Sequence, residues 1–289
     1  MIWQRIGIFL GWSIATALLF LSWKRHSLES EPSRRRAELY VWVLSVPLLA
    51  VGIGYLTLGL IGFGLLGALH LIALAIAFRV LARPLAGAAP AARATGALLL
   101  AGPTLVLLGA ITWPGGDLTS IAARPGGHVT TAGLFLLGSF VTLAGFVGLR
   151  AVLGAAGDDW LSRLGLVGLE VGTAMWAIHL LMRIAVVLPV ARAAAGPPSW
   201  FDPVVNLSGG LYAVYMVLAY LATAAYGGAL ARAGWVSAGW GRGLVGFGLV
   251  AAVGFAIPGP FRPPLVVQLP VYAIGILVLR KLIRIPRTP

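Results

Sequence analysis

A chain of 289 residues that is 60% hydrophobic and only 10% charged cannot cover a water-soluble surface, so composition excludes an ordinary soluble domain. A formal charge of +13 would point to nucleic acid in a soluble protein, but the basic residues here fall in short turns between apolar runs, where topology and anionic lipid headgroups explain them and no nucleic-acid partner is expected. The lack of any cysteine excludes disulfides, thiolate metal ligands and thiol catalysis.

The apolar runs are about 20 residues long, the length that crosses a hydrocarbon core. They lack the alternation of barrel strands, so the fold class is all-α: a polytopic transmembrane helix bundle of about nine spans, forming one integral-membrane domain over residues 1–289. The first span is 3–22. It is followed by "SWKRH" with no small-residue cleavage site, which reads as a retained signal anchor. Residues 39–82 form one apolar stretch whose length as a single helix would be about 66 Å, twice a bilayer. It must fold back in "TLGLIGFG", near Gly59 to Gly64, giving spans 39–57 and 60–82.

The basic turn "RVLARPLAGAAPAARATG" leads to span 95–113, and the Pro/Gly-rich stretch 114–128 to span 129–149. Span 164–190 follows. The loop 191–205 holds Asp202 before Pro203, a pair suited to capping or turning the chain into span 206–228. Spans 243–258 and 265–284 complete the set. Pro47, Pro103 and Pro270 lie inside spans and free a carbonyl each.

Most of the 21 Lys and Arg residues fall on one side of this arrangement, while Arg5, Arg124, Arg192 and Arg262 fall on the other. The positive-inside rule then places the N-terminus outside and the C-terminus in the cytoplasm. Trp3, Trp23, Trp42, Trp113, Trp160, Trp200, Trp235 and Trp240 all fall at or near span ends, where an amphipathic ring is stable. The abundance of Ala, Gly and Arg suits a GC-rich bacterial source, so the expected location is a bacterial cytoplasmic membrane.

A faint repeat relates "DDWLSRLGLVG" (158–168) to "SAGWGRGLVG" (237–246). Each follows a basic residue, Arg150 or Arg232, and opens a span on the cytoplasmic side. The stretches "YGGALARAGWVSAGWGRGLVGFGLVAAVG" and "LPVYAIGILVLRKL" together resemble an uncharacterised bacterial multi-pass integral-membrane family of unknown function. The resemblance covers roughly the C-terminal third and implies a membrane-helix fold. It carries no functional residue across.

Ionisable groups inside a membrane are costly and are functional candidates by default. Four fall within spans: His70, Glu170, His179 and Arg183. In "MWAIHLLMR", Trp176, His179 and Arg183 share a helical face with Gly172, and that face should point into the bundle or a cavity. Glu170 is about half a turn out of phase with His179 and roughly 20 Å along the helix from Arg183, so it cannot pair within its own helix. His70 and His179 lie near the middle of two different spans. Two such histidines could ligate haem b, with Arg183 holding a propionate, and a quinone near His179 is a related reading. Tyr212, Tyr215, Tyr220 and Tyr226 line one span, and with Glu170 and Trp176 the ring of Tyr215 is a ligand-pocket candidate.

The remaining acidic residues lie in loops, which disfavours an acid-relay pump. His26 and His128 also read as loop residues, with no acidic cluster for a metal beside them. No HExxH or serine–histidine arrangement in the sequence suggests an intramembrane protease. These features favour a non-enzymatic membrane protein: a membrane subunit of a larger complex, with partner membrane subunits, or an apolar-ligand binder. The alternatives are the redox protein just described and a small-molecule transporter.

Overall fold

The computed structural model describes residues 90–111, 117–158, 160–193 and 196–256, together with Val271, Ile274, Gly275, Val278 and Lys281. The chain divides into two compact units, residues 1–96 with 274–289, and residues 97–273. The described residues of the first unit are helical. In the second unit no β-strand occurs among the described residues.

Its elements in order are α1 (Pro90–Ile111, of which 97–111 belong to this unit), the short α2 (Leu118–Ala123), α3 (Pro125–Ala155), α4 (Trp160–Met182), a π-helical turn at Arg183–Val187, α5 (Leu188–Arg192), α6 (Phe201–Arg232) and α7 (Ala238–Ala256). α4, the π turn and α5 run on as one 33-residue helix, Trp160–Arg192. Among the described residues, four helices are long and apolar enough to cross a membrane: Pro125–Ala155, Trp160–Arg192, Phe201–Arg232 and Ala238–Ala256. The first three of these run past both ends of the spans expected from hydropathy. Their terminal turns hold His128, Arg192, Asp202 and Arg232, which an apolar window rejects but a helix end at a headgroup layer accommodates.

The four helices are apolar nearly all round, as expected for segments with lipid on one side and protein on the other. On α3 the buried residues recur every three or four positions, from His128 through Ala132, Phe135, Ser139, Thr142 and Phe146 to Leu153. Leu137, Phe140 and Val147 of the same helix are exposed, as are Val167, Val171, Ile178 and Leu181 of the next.

Close helix approach depends on glycine, as it does wherever two backbones must touch inside a membrane. α1 packs antiparallel on α3 with Leu99 against Gly145, Gly102 against Gly138 and Thr142, and Gly109 against Phe135. A Cβ at Gly102 would sit 2.8 Å from the Thr142 amide nitrogen and 2.9 Å from the Gly138 carbonyl oxygen, both immovable backbone atoms. α6 is flanked by α4 and α7, both antiparallel to it. Gly165 of α4 lies under the Tyr226 ring, and Gly248 of α7 lies on the Tyr220 carbonyl.

The two hairpins reverse in the same way. After α3, Gly157 takes φ +89°, its N–H bonds the Gly154 carbonyl, and the Asp158 N–H bonds Leu153. After α6, Gly234 takes φ +67°, its N–H bonds Ala231, and the Trp235 N–H bonds Leu230. Both are Schellman motifs with the glycine in the left-handed position that a Cβ disfavours. Each next helix is then capped by a side chain: Asp158 Oδ2 accepts from the Ser162 N–H at 3.0 Å, and Ser237 Oγ from the Trp240 N–H at 3.4 Å. These are the two stretches whose sequences look alike.

Asp202 does not cap its helix. Trp200 occupies the cap position, and Asp202 lies exposed in the first turn of α6, where a carboxylate suits the helix dipole. The side-chain cap on this side of the unit is Asp117, which accepts from the Ser120 N–H at 2.8 Å and from the Ser120 hydroxyl at 2.7 Å. Pro103 does not interrupt α1, which continues through it.

Candidate functional site

The π turn originates in the sequence. Pro189 has no N–H, and in an unbroken α-helix its ring would collide with the carbonyl four residues back, at Ala185. Widening the helix over Arg183–Val187 avoids that collision. The Leu188 N–H then bonds the Arg183 carbonyl, and His128 Nε2 of α3 donates to the same oxygen at 3.4 Å. His128 is therefore a buried helix residue facing the irregular turn, where the sequence placed it in a loop. An apolar cluster of Ile121, Val187, Val190 and Phe201 packs α2 against the same turn.

One turn before Arg183, His179 is half-buried between rings. Its ring stacks on Trp176 at 5.1 Å and lies 5.5 Å from Tyr212. Trp176 in turn stacks on Tyr215 at 5.0 Å and meets Phe135 of α3 at 6.0 Å. His179 Nδ1 lies 2.8 Å from the Ser208 carbonyl oxygen and 2.8 Å from its hydroxyl. A carbonyl can only accept, so that contact requires the proton on Nδ1. The imidazole is thereby held as the tautomer whose Nε2 keeps a lone pair, and Nε2 makes no protein hydrogen bond among the described residues.

The structure thus brings together His179, Trp176 and Tyr215 from the sequence candidates. Arg183 lies beside them, one turn on and partly buried. Glu170 is exposed on α4 and joins neither the ring stack nor the cavity beside it. His70 lies outside the described residues. Tyr226 serves a different purpose: its hydroxyl donates to the Phe146 carbonyl at 3.1 Å, tying α6 to α3.

Three contributors were not singled out in the sequence. Pro189 stands within an expected span and could have been flagged as a helix disruptor. His128 was assigned to a loop. Ser208, in "NLSGG", gives no pattern signal, because its partner is 29 residues away. Tyr215 also lines a small, mainly apolar cavity of about 20 Å³, whose wall includes Phe146, Leu169 and Val271 besides Ser139 and Thr173.

No family model, no curated protein and no solved structure matches this chain. Chemically, the arrangement offers one hydrogen-bond acceptor at His179 Nε2, set among aromatic faces, with a guanidinium nearby. No group of His, Asp and Glu that could hold a metal ion occurs among the described residues.

Proposed function

We propose that this chain is a multi-pass protein of the bacterial cytoplasmic membrane, with its N-terminus outside and its C-terminus inside, that binds an apolar ring-bearing ligand at His179. The single observation behind this reading is the fixed imidazole: Ser208 holds Nδ1, two rings confine the plane, and Nε2 remains available as an acceptor. A hydroxylated ring such as a quinol, donating to Nε2 and stacking on Tyr212 or Trp176, matches that chemistry. Arg183 then faces the polar end of the ligand. No Asp or Glu joins the group among the described residues, and the Ser208 hydroxyl shares the Nδ1 edge of the imidazole with its own carbonyl.

The test is extraction. Protein purified in mild detergent is extracted with organic solvent, and the extract is analysed by mass spectrometry. An apolar compound present with the wild-type chain and lost in His179→Ala, but kept in Arg192→Leu, supports the reading. Equal recovery from all three refutes it. A Soret band in the same preparation would reassign His179 to haem b.

A second reading, as a subunit of a membrane complex, draws on Glu170. Its carboxylate is exposed on α4 among the exposed Val167, Val171 and Leu164. A bare carboxylate against lipid is costly, and a cationic group on a partner helix would relieve that cost. Cross-linking through a cysteine at position 171 tests for such a partner.

A further inference from the structure

Helix contact requires glycine at Gly102 and Gly248, but not at Gly209 of α6. A Cβ added at Gly209 would meet nothing within 4 Å, although the residue is only partly exposed. The same freedom at Gly133, Gly210, Gly243, Gly246 and Gly254 has a plain cause: those residues are exposed, and the open space beside them is the outer surface. Among the described residues, Gly209 is alone in combining partial burial with empty space on its Cβ side. That combination defines a recess.

The recess has defined neighbours. Gly209 follows Ser208, whose carbonyl oxygen lies 2.8 Å from His179 Nδ1. Tyr212 stands one turn further along the same face of α6, with its ring 5.5 Å from the imidazole. The open space therefore starts at the residue that orients His179 and adjoins the ring that flanks it. At Gly210 a Cβ also meets nothing, and that residue shares an exposed face with Leu207 and Val214. The space thus continues from Gly209 to the lipid-facing side of α6.

Glycine inside a helix costs about 1 kcal/mol relative to alanine. At Gly102 and Gly248 close backbone contact offsets that cost. At Gly209 no contact among the described residues does so, and an occupant from outside the chain supplies the missing compensation.

Resting on the reading of His179 as a ligand site, we infer that this recess seats the ring of the bound compound and that Gly209 sets how large a ring the site accepts. The ring enters from the bilayer past Gly210 and lies against Tyr212 and the imidazole. Its edge fills the volume that a side chain at position 209 would take. The class of compound is a flat phenol or quinol, whose face stacks on the aromatic rings while its edge enters the recess.

The probe is tritiated 2-naphthol, a flat phenol, titrated onto the full chain in lipid nanodiscs with binding to empty nanodiscs subtracted. Wild type is compared with Gly209→Leu, His179→Ala and Gly243→Leu, the last being an open glycine on the exposed face of α7. The inference expects saturable binding by wild type and Gly243→Leu, loss in His179→Ala, and binding weakened roughly tenfold or more in Gly209→Leu without a lowered unfolding midpoint. Wild-type affinity in Gly209→Leu overturns it. If His179→Ala still abolishes binding in that case, the His179 reading stands without the recess; binding that survives in both variants removes the reading as well. A lowered unfolding midpoint in Gly209→Leu also overturns the inference, because a recess too small for an isobutyl group is too small for a ring. Absence of saturable binding by the wild type overturns it too.

Discussion

Tyr226 and Phe146 are joined twice: the Tyr226 hydroxyl donates to the Phe146 carbonyl at 3.1 Å, and the two rings lie 4.5 Å apart. The tyrosine ring also covers Gly165, so one fully buried side chain of α6 touches both α3 and α4. Tyr226→Phe keeps the ring and loses the hydrogen bond, and is expected to cost about 1 kcal/mol. Tyr226→Ala leaves a cavity and is expected to cost about 3–5 kcal/mol. Unfolding of both variants in mixed micelles, monitored against increasing SDS, gives the two values, and equal losses would mean that the hydroxyl contributes nothing.

Glycine contacts predict a sharp positional contrast on α7. A Cβ at Gly248 would lie 2.5 Å from the Tyr220 carbonyl oxygen and 2.8 Å from the Ala224 nitrogen, so Gly248→Ala must push α7 off α6. The expected cost is about 1–3 kcal/mol. At Gly246 and Gly254 a Cβ meets nothing within 4 Å, and alanine there should be neutral or stabilising by up to about 1 kcal/mol. The same unfolding assay ranks the three variants.

Acid should loosen α2 through its cap. The hydrogen bonds from Ser120 to Asp117 hold that carboxyl below its ordinary value of 3.8. A depressed carboxyl stabilises the fold at pH values above its ordinary range, and the contribution disappears as pH falls through the folded value. Amide exchange of Ser120 and Ile121 should therefore accelerate on acidification in the wild type. Asp117→Asn, which cannot titrate, should abolish that acid dependence.

Pro189 should control the shape of the site without forming part of it. Pro189→Ala restores an N–H that can bond the Ala185 carbonyl, and the π turn at Arg183–Val187 is expected to tighten into regular helix. Arg183 would then rotate relative to His128, whose contact with its carbonyl is already long at 3.4 Å. The measurable outcome is reduced recovery of the bound ligand with little change in unfolding midpoint. Full ligand recovery would disconnect the turn from binding.

Arg183→Leu should reduce ligand recovery and Arg192→Leu should not, since Arg192 is exposed at the end of α5. Identical behaviour of the two variants would mean that Arg183 only extends its charge towards the interface.

Hydropathy made the long helices legible, because lipid imposes the same demand on every span. It underestimated their ends, where Asp202 and Arg232 are polar yet helical. The face shared by Trp176, His179 and Arg183 followed from helical spacing alone. Its partners did not: Ser208 and Tyr212 reach His179 only after α4 and α6 align, and nothing local encodes that register. His128 looked like a loop residue because "RPGGH" is dense in helix breakers, yet Pro125 stands at the first helical position, where proline is tolerated. Pro189 was visible in the sequence, but whether a proline bends a helix or widens it depends on what packs beside it.

The matching reversals at Gly157 and Gly234 bear on how the chain is made. Each joins neighbouring segments through a handful of residues, so each helix pair can close as soon as its second member leaves the ribosome, with little loop entropy to overcome. Insertion can then proceed two segments at a time. A residue with a side chain at either glycine would delay that step during synthesis, and its effect would register in the yield of assembled protein before it registered in the behaviour of the finished molecule.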